Sequence, residues 1–269
     1  MRMLAGQETK LSRTMHDVRY DAKNDEIFVT NPYAQAVLVF RGAAQGNEAP
    51  IRIIQGSRTQ IGSADRLEVD PVHDEIIVPN DESVLVFPRT ANGNVAPLRV
   101  IEGSDTQLRQ AATLSVDPIH NLLVVGLNKT GERILRTVDG TTTAKATGQD
   151  GALLIYNRTD NGNVKPLRVI RGPKSGIVRI TQMALNPARK LIIATQPGEV
   201  TDMEPEAAFI GVWSMDDNGD IPPLWKINTG PKSTLLKPRG VVLDPKHKEM
   251  IIADMRLNAV LTFYFPEIF

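Results

Sequence analysis

The chain has 269 residues, enough for one large domain or two small ones, and 31 basic side chains balance 31 acidic ones. That balance removes the global charge that would draw a protein to nucleic acid or an anionic membrane. The absence of cysteine excludes disulfides, thiolate catalysis and Cys-based metal or iron–sulfur sites. The longest apolar runs, such as Ala36–Phe40, are too short to span a bilayer. The first residues, MRMLAGQETK, have no apolar signal core, and the cellular compartment stays open.

In chain order, the first element expected is a short strand at Arg2–Gly6. It is followed by a copy of a repeat, HDVRYDAKNDEIFVTNPYAQAVLVFRGAAQGNEAPIRIIQG, over His16–Gly56. The second copy, RLEVDPVHDEIIVPNDESVLVFPRTANGNVAPLRVIEG, covers Arg66–Gly103, and the third covers Thr113–Gly172 with an insertion. A looser fourth copy begins near Thr181. The fifth, GVVLDPKHKEMIIADMRLNAVLTFYF, stops before its last strand. Asp21, Asp70, Asp117, Asn186 and Asp244 anchor the five copies.

Each copy reads as four strands. Strand A alternates and ends at the anchor, strand B is an apolar run, and strand C ends on Phe40, Phe87, Tyr156, Trp213 or Phe263. A Gly-Asn or Asn-Gly turn and a proline lead to strand D, which carries Arg52, Arg99, Arg168 and, shifted, Lys226. Basic residues on an outermost strand discourage edge-to-edge pairing, and that is the role expected of them. Four-stranded units repeated five times predict an all-β, five-bladed β-propeller forming a single domain over residues 1–269. Arg2–Gly6 repeats the pattern of Arg52–Gly56 and is expected to complete the last blade. A six-bladed propeller is the alternative.

The pattern GVVLDPKHKEMIIAD followed by NAVLTF resembles the NHL-type repeat and, more broadly, the lactonase-like and gluconolactonase-like propellers. That resemblance implies a propeller fold. Its calcium-dependent sugar lactonases place a divalent metal on the central axis, held by Glu, Asn and Asp. This sequence departs from that pattern, with no glutamate expected at the start of any strand A.

The long connections between strands D and A, and two insertions at Asn128–Gly151 and Pro197–Ala207, fall on one face, where a site is expected. The insertions read as lids. Entering strand A, successive copies carry His16 and Asp17, then Asp65 and Arg66, then Thr181 and Gln182, then Arg239 and Gly240. Residues that differ between copies are candidates for function rather than fold. His16, Asp17 and Asp65 are the catalytic candidates, because a histidine beside carboxylates can move protons or hold a metal. Arg66, Gln182, Arg239, Arg13 and Arg179 are ligand-binding candidates, with Arg109 and Lys237 adding to a basic mouth suited to anionic groups. His73, His120 and His247 share one turn slot and are expected to be structural.

Three functions stay open: binding of a small anionic or carbohydrate-like ligand, hydrolysis or lyase chemistry at the same mouth, and protein-interaction scaffolding. No nucleophile elbow, phosphate loop, dinucleotide fingerprint or zinc-protease motif occurs, and no basic stripe interleaved with aromatics points to nucleic acid. The chain is expected to act as a monomer.

Overall fold

The computed structural model describes residues 2–13, 15–62, 64–128, 135–136, 142–143, 151–198, 208–230 and 233–269. It is an all-β protein whose five antiparallel sheets are the blades of a five-bladed β-propeller. Among the described residues no helix is long and apolar enough to cross a membrane. Most of both expected lids (129–134, 137–141, 144–150 and 199–207) lies outside the described residues.

The first sheet is β1 (Val18–Asp21), β2 (Glu26–Asn31), β3 (Ala36–Arg41) and β4 (Arg52–Gln55), paired in chain order. The second is β5 (Glu68–Asp70), β6 (Glu75–Asn80), β7 (Ser83–Pro88) and β8 (Arg99–Glu102). The third contains β9 (Ala111–Asp117) and β10 (Leu122–Leu127). After a small hairpin of β11 (Leu135–Arg136) and β12 (Thr142–Thr143) come its other strands, β13 (Ala152–Asn157) and β14 (Arg168–Ile170). The fourth is β15 (Gln182–Asn186), β16 (Leu191–Pro197), β17 (Ala208–Ser214) and β18 (Trp225–Asn228). The fifth has three strands, β19 (Pro238–Asp244), β20 (Glu249–Asp254) and β21 (Ala259–Tyr264). The chain divides into two compact units, residues 1–123 with 157–165, and 124–156 with 166–269.

The anchor aspartates shape the turn after strand A. One carboxylate oxygen of Asp70 accepts from the Val72 N–H at 2.9 Å while the other holds His73 Nδ1 at 2.7 Å. Asp117 with His120 and Asp244 with His247 repeat this at 2.7 and 2.6 Å, and in the first copy Asn24 takes the histidine's place on Asp21 at 2.7 Å. A side chain that bonds its own backbone two residues on fixes a turn locally, so the three histidines are turn residues, as their shared slot predicts.

In the first unit, the face of β2–β4 bearing Phe28, Val37, Val39 and Ile54 packs on Leu67, Val69, Ile76, Val78, Leu85 and Phe87 of the second sheet. Ion pairs close the outer end of this junction. Glu26 accepts both terminal nitrogens of Arg52 at 2.8 Å and Arg89 at 2.6 Å. Glu75 does the same with Arg99 (2.8 and 2.9 Å) and Arg158 (2.6 Å). The strand-D arginines are therefore staples between successive blades as well as edge charges. In the second unit the register puts Trp225 opposite Val212, where Arg52 stands opposite Val39. Lys226 instead lies 4.3 Å over the Phe209 ring.

The turn after each strand D is also held by the next blade. Gly56, at φ +125°, leaves room for Asn94, whose Oδ1 accepts the Arg58 N–H at 2.7 Å, and Thr59 Oγ1 donates to the Gly56 carbonyl at 2.7 Å. Gly103 with Asn163 and Gly172 with Asp220 repeat the contact. Arg2–Gly6 follows suit: Gly6 stands on Asn47, and Leu4 bridges Gly46 as Ile54 bridges Gly93. The first residues thus adopt the position of a fourth strand.

Candidate functional site

The expected site residues fall in both units, and each set is taken separately. In the first unit the approach to strand A carries His16, Asp17, Asp65 and Arg66. His16 Nδ1 lies 2.9 Å from Asp65 Oδ1, and both are substantially exposed. The Arg66 guanidinium donates to the His16 carbonyl and to its own neighbour's carbonyl, Asp65 O, at 3.1 Å. Three of the expected residues therefore meet at one rim. Arg13 is exposed on the connection leading to this rim.

Asp17 turns inward. Its Oδ2 accepts the Leu67 N–H at 3.2 Å and sits 3.6 Å from Arg19 Nη2. Arg19 also reaches Glu68, 3.7 Å away, and donates to the Leu67 carbonyl at 3.1 Å. Glu68 Oε2 accepts from Ser115 Oγ at 3.1 Å. A polar chain, Asp17–Arg19–Glu68–Ser115, thus runs across β1, β5 and β9, the innermost strands of three successive blades. Burial pushes both carboxyls above the ordinary carboxylate range, opposed in each case chiefly by Arg19.

Sequence reasoning missed Arg19, Glu68 and Ser115. They occupy one slot, two residues before the anchor, where the other copies have Ala184 and Val242. A charge that interrupts strand alternation in some copies but not others was the available signal. Glu68 also opens β5, correcting the expectation that no strand A begins with glutamate. It does not make a calcium site. The Arg19 guanidinium already stands between the Asp17 and Glu68 carboxylates, where a cation would have to sit.

In the second unit, Gln182 holds the slot of Asp17 and does the same job: its Oε1 accepts the Val241 N–H at 3.2 Å. A Cβ at Gly240 would come within 2.7 Å of that oxygen, so the glycine permits the contact. The Arg239 carbonyl accepts from Thr181 Oγ1 at 3.0 Å and Thr195 Oγ1 at 3.2 Å. Arg179 bridges Asn128, and its N–H reaches Gln196 Oε1 at 3.3 Å. Asp17 and Gln182 therefore share a structural duty, joining one innermost strand to the next.

Asp244, His247 and Glu249 offer ligand atoms within 4.8 Å of one another, but Asp244 and His247 form the repeated turn. The pair is exposed. The hydrogen bond and charge of Asp244 raise the His247 pKa.

With this geometry in view, comparison with known proteins bears on fold alone. No family model matches the chain, and no curated protein does. The resemblance to NHL-type and lactonase-like repeats is carried only by the residues quoted for it. Among solved structures, a hydrazine synthase chain of Kuenenia stuttgartiensis is similar, with a TM-score of 0.59 and 11% identity over 92% of this chain. This chain spans 58% of that one. As 845 solved chains match, the architecture is too widely used to select an activity.

Proposed function

We propose that the innermost strands of the first unit bind a polyhydroxylated, carbohydrate-like ligand. The observation that carries this reading is the chain Asp17–Arg19–Glu68–Ser115, in which acceptors and donors alternate along one surface. Sugar hydroxyls both donate and accept, so such a surface pairs with them. An anionic ligand is less well served. Asp17, Asp65 and Glu68 outnumber Arg19 and Arg66 here, and Arg66 already donates to two carbonyls.

One observation favours hydrolase or lyase chemistry as a second reading. Asp17 and Glu68 are pushed upward by burial, the direction a general acid needs, and His16 with Asp65 lies at the adjoining rim.

The test is calorimetry and thermal shift against neutral sugars, sugar acids, lactones and phosphorylated sugars. Saturable binding of a neutral sugar, weakened about tenfold by Glu68→Gln and by Asp65→Asn, is the expected result. Binding confined to sugar acids or phosphates and indifferent to Glu68→Gln overturns the reading. Turnover of a lactone that Asp65→Asn or Glu68→Gln abolishes selects the second reading.

A further inference from the structure

The repeat places an apolar face on each side of a sheet, and one of these faces is unmatched at each end of the chain. Val18 and Tyr20 on β1 occupy the slots of Leu67 and Val69 on β5. Leu67 is 0% exposed in the junction described above, whereas Val18 is 60% exposed and Tyr20 equally so. On β21, Val260 occupies the slot of Val37. Val37 is 0% exposed and Val260 is 70% exposed, with Val242 and Tyr264 exposed beside it. The chain by itself covers neither face, and apolar faces of this kind mark association surfaces.

The charges at these ends are complementary. Glu249 holds the slot of Glu26 and Glu75, five residues past the anchor, yet among the described residues it has no arginine partner. Arg2 holds the slot of Arg52 and Arg99. It donates to the Gly42 carbonyl at 3.3 Å, as Arg52 does to Arg89 O and Arg99 to Arg158 O at 3.3 Å, but it pairs with no carboxylate among the described residues. Each end carries half of an ion pair that the internal junctions hold whole.

The backbone is arranged to match. Met3–Ala5 is tied along one edge to the Gly46 turn, by Gly46 N–H to Met3 O at 2.6 Å and Ala5 N–H to Gly46 O at 2.9 Å. Among the described residues β21 pairs only with β20, leaving the edge on which strand D sits in the other blades.

We propose that this chain assembles head to tail with a second copy of itself. The fifth sheet of one copy docks on the first sheet of the other and takes that copy's Arg2–Gly6 as its fourth strand. By the register of β3 with β4, Leu4 of one copy stands opposite Val260 of the other, and Arg2 reaches Glu249. Two different surfaces meet, so the contact is heterologous and closes into a ring of copies or extends.

The absence of cysteine makes the test clean. A Leu4→Cys/Val260→Cys chain, oxidised under native conditions, is expected to form disulfide-linked dimers and higher species whose yield rises with concentration, since opposed strand residues lie within disulfide reach. The natural chain shows a concentration-dependent mass above the monomer in light scattering. Arg2→Glu and Glu249→Arg each weaken that association by about tenfold or more, and the two together restore it. An internally linked monomer at every concentration overturns the proposal, because the chain then covers its own faces. So does an unlinked monomer, or an oligomer that ignores both charge reversals.

Discussion

The junction between the first two sheets and the free face of the fifth sheet come from the same repeat, yet one is buried and the other open. At the junction, Val37 lies under the second sheet and Glu26 holds two arginines; on the fifth sheet, Val260 and Glu249 sit in the same slots without those neighbours. The difference teaches that a blade does not own its core. Its apolar face and its glutamate are each completed by the following unit, as in repeat proteins whose stability resides largely in nearest-neighbour interfaces.

The sharpest way to break the comparison is to truncate both faces. Leu67→Ala is expected to cost about 3 kcal/mol in urea unfolding, by lost burial and a cavity, and Val18→Ala under about 1 kcal/mol in dilute monomer. Equal costs there would mean that Val18 is buried in solution. Next in size is the charge. Glu75→Ala strands Arg99 and Arg158 and should cost about 2 kcal/mol, the usual penalty discounted because the arginines keep some solvent contact, whereas Glu249→Ala stays within about 0.5 kcal/mol.

A finer comparison uses two glycines with the same unusual backbone. Gly56 (φ +125°) faces Asn94, and Gly230 (φ +133°) has nothing within 4 Å. Gly56→Ala should cost about 1 kcal/mol more than Gly230→Ala in thermal melts, because only there must a side chain be displaced.

The smallest effect is in pH dependence, and its sign separates the blade junction from the inner strands. Burial opposes ionisation of Glu26, but the hydrogen bonds from Arg52 and Arg89 outweigh it and its pKa is lowered. Glu26 therefore contributes stability above its unfolded value of 4.5 that is lost as pH falls through the folded value. Glu68 is raised, so its contribution is full below 4.5 and is lost as pH rises through its folded value. Urea midpoints between about pH 3 and 8 should show Glu26→Gln flattening the acid side and Glu68→Gln removing a loss on the neutral side. Slopes of the same sign in both variants would refute the assignment.

The fold was legible because its signals are local and repeated. Asp70, Asp117 and Asp244 with their turn histidines, the apolar strand-B runs and the aromatic ends of strand C recur, and the five sheets follow them. The candidate site was half legible. His16, Asp65 and Arg66 were found because they differ between copies. Arg19, Glu68 and Ser115 were not, because their meeting depends on how three strands A stand side by side. Asp17 and Gln182, singled out as variable, turn out to accept the next strand's N–H in the same way. A chemical difference between copies can hide one structural role.

The sequence alone determined the strands, the turns and the repeat, since each depends on alternation and on side chains bonding backbone within a few residues. The tertiary structure decided what each slot touches. Arg52 finds Glu26 within its own blade and Arg89 joins from the next one, Arg19 finds two carboxylates, and Val18 and Val260 find nothing in their own chain. Periodicity specifies the slot, but the environment of the slot belongs to its neighbour, and at the two ends of this repeat the neighbour is absent from the chain.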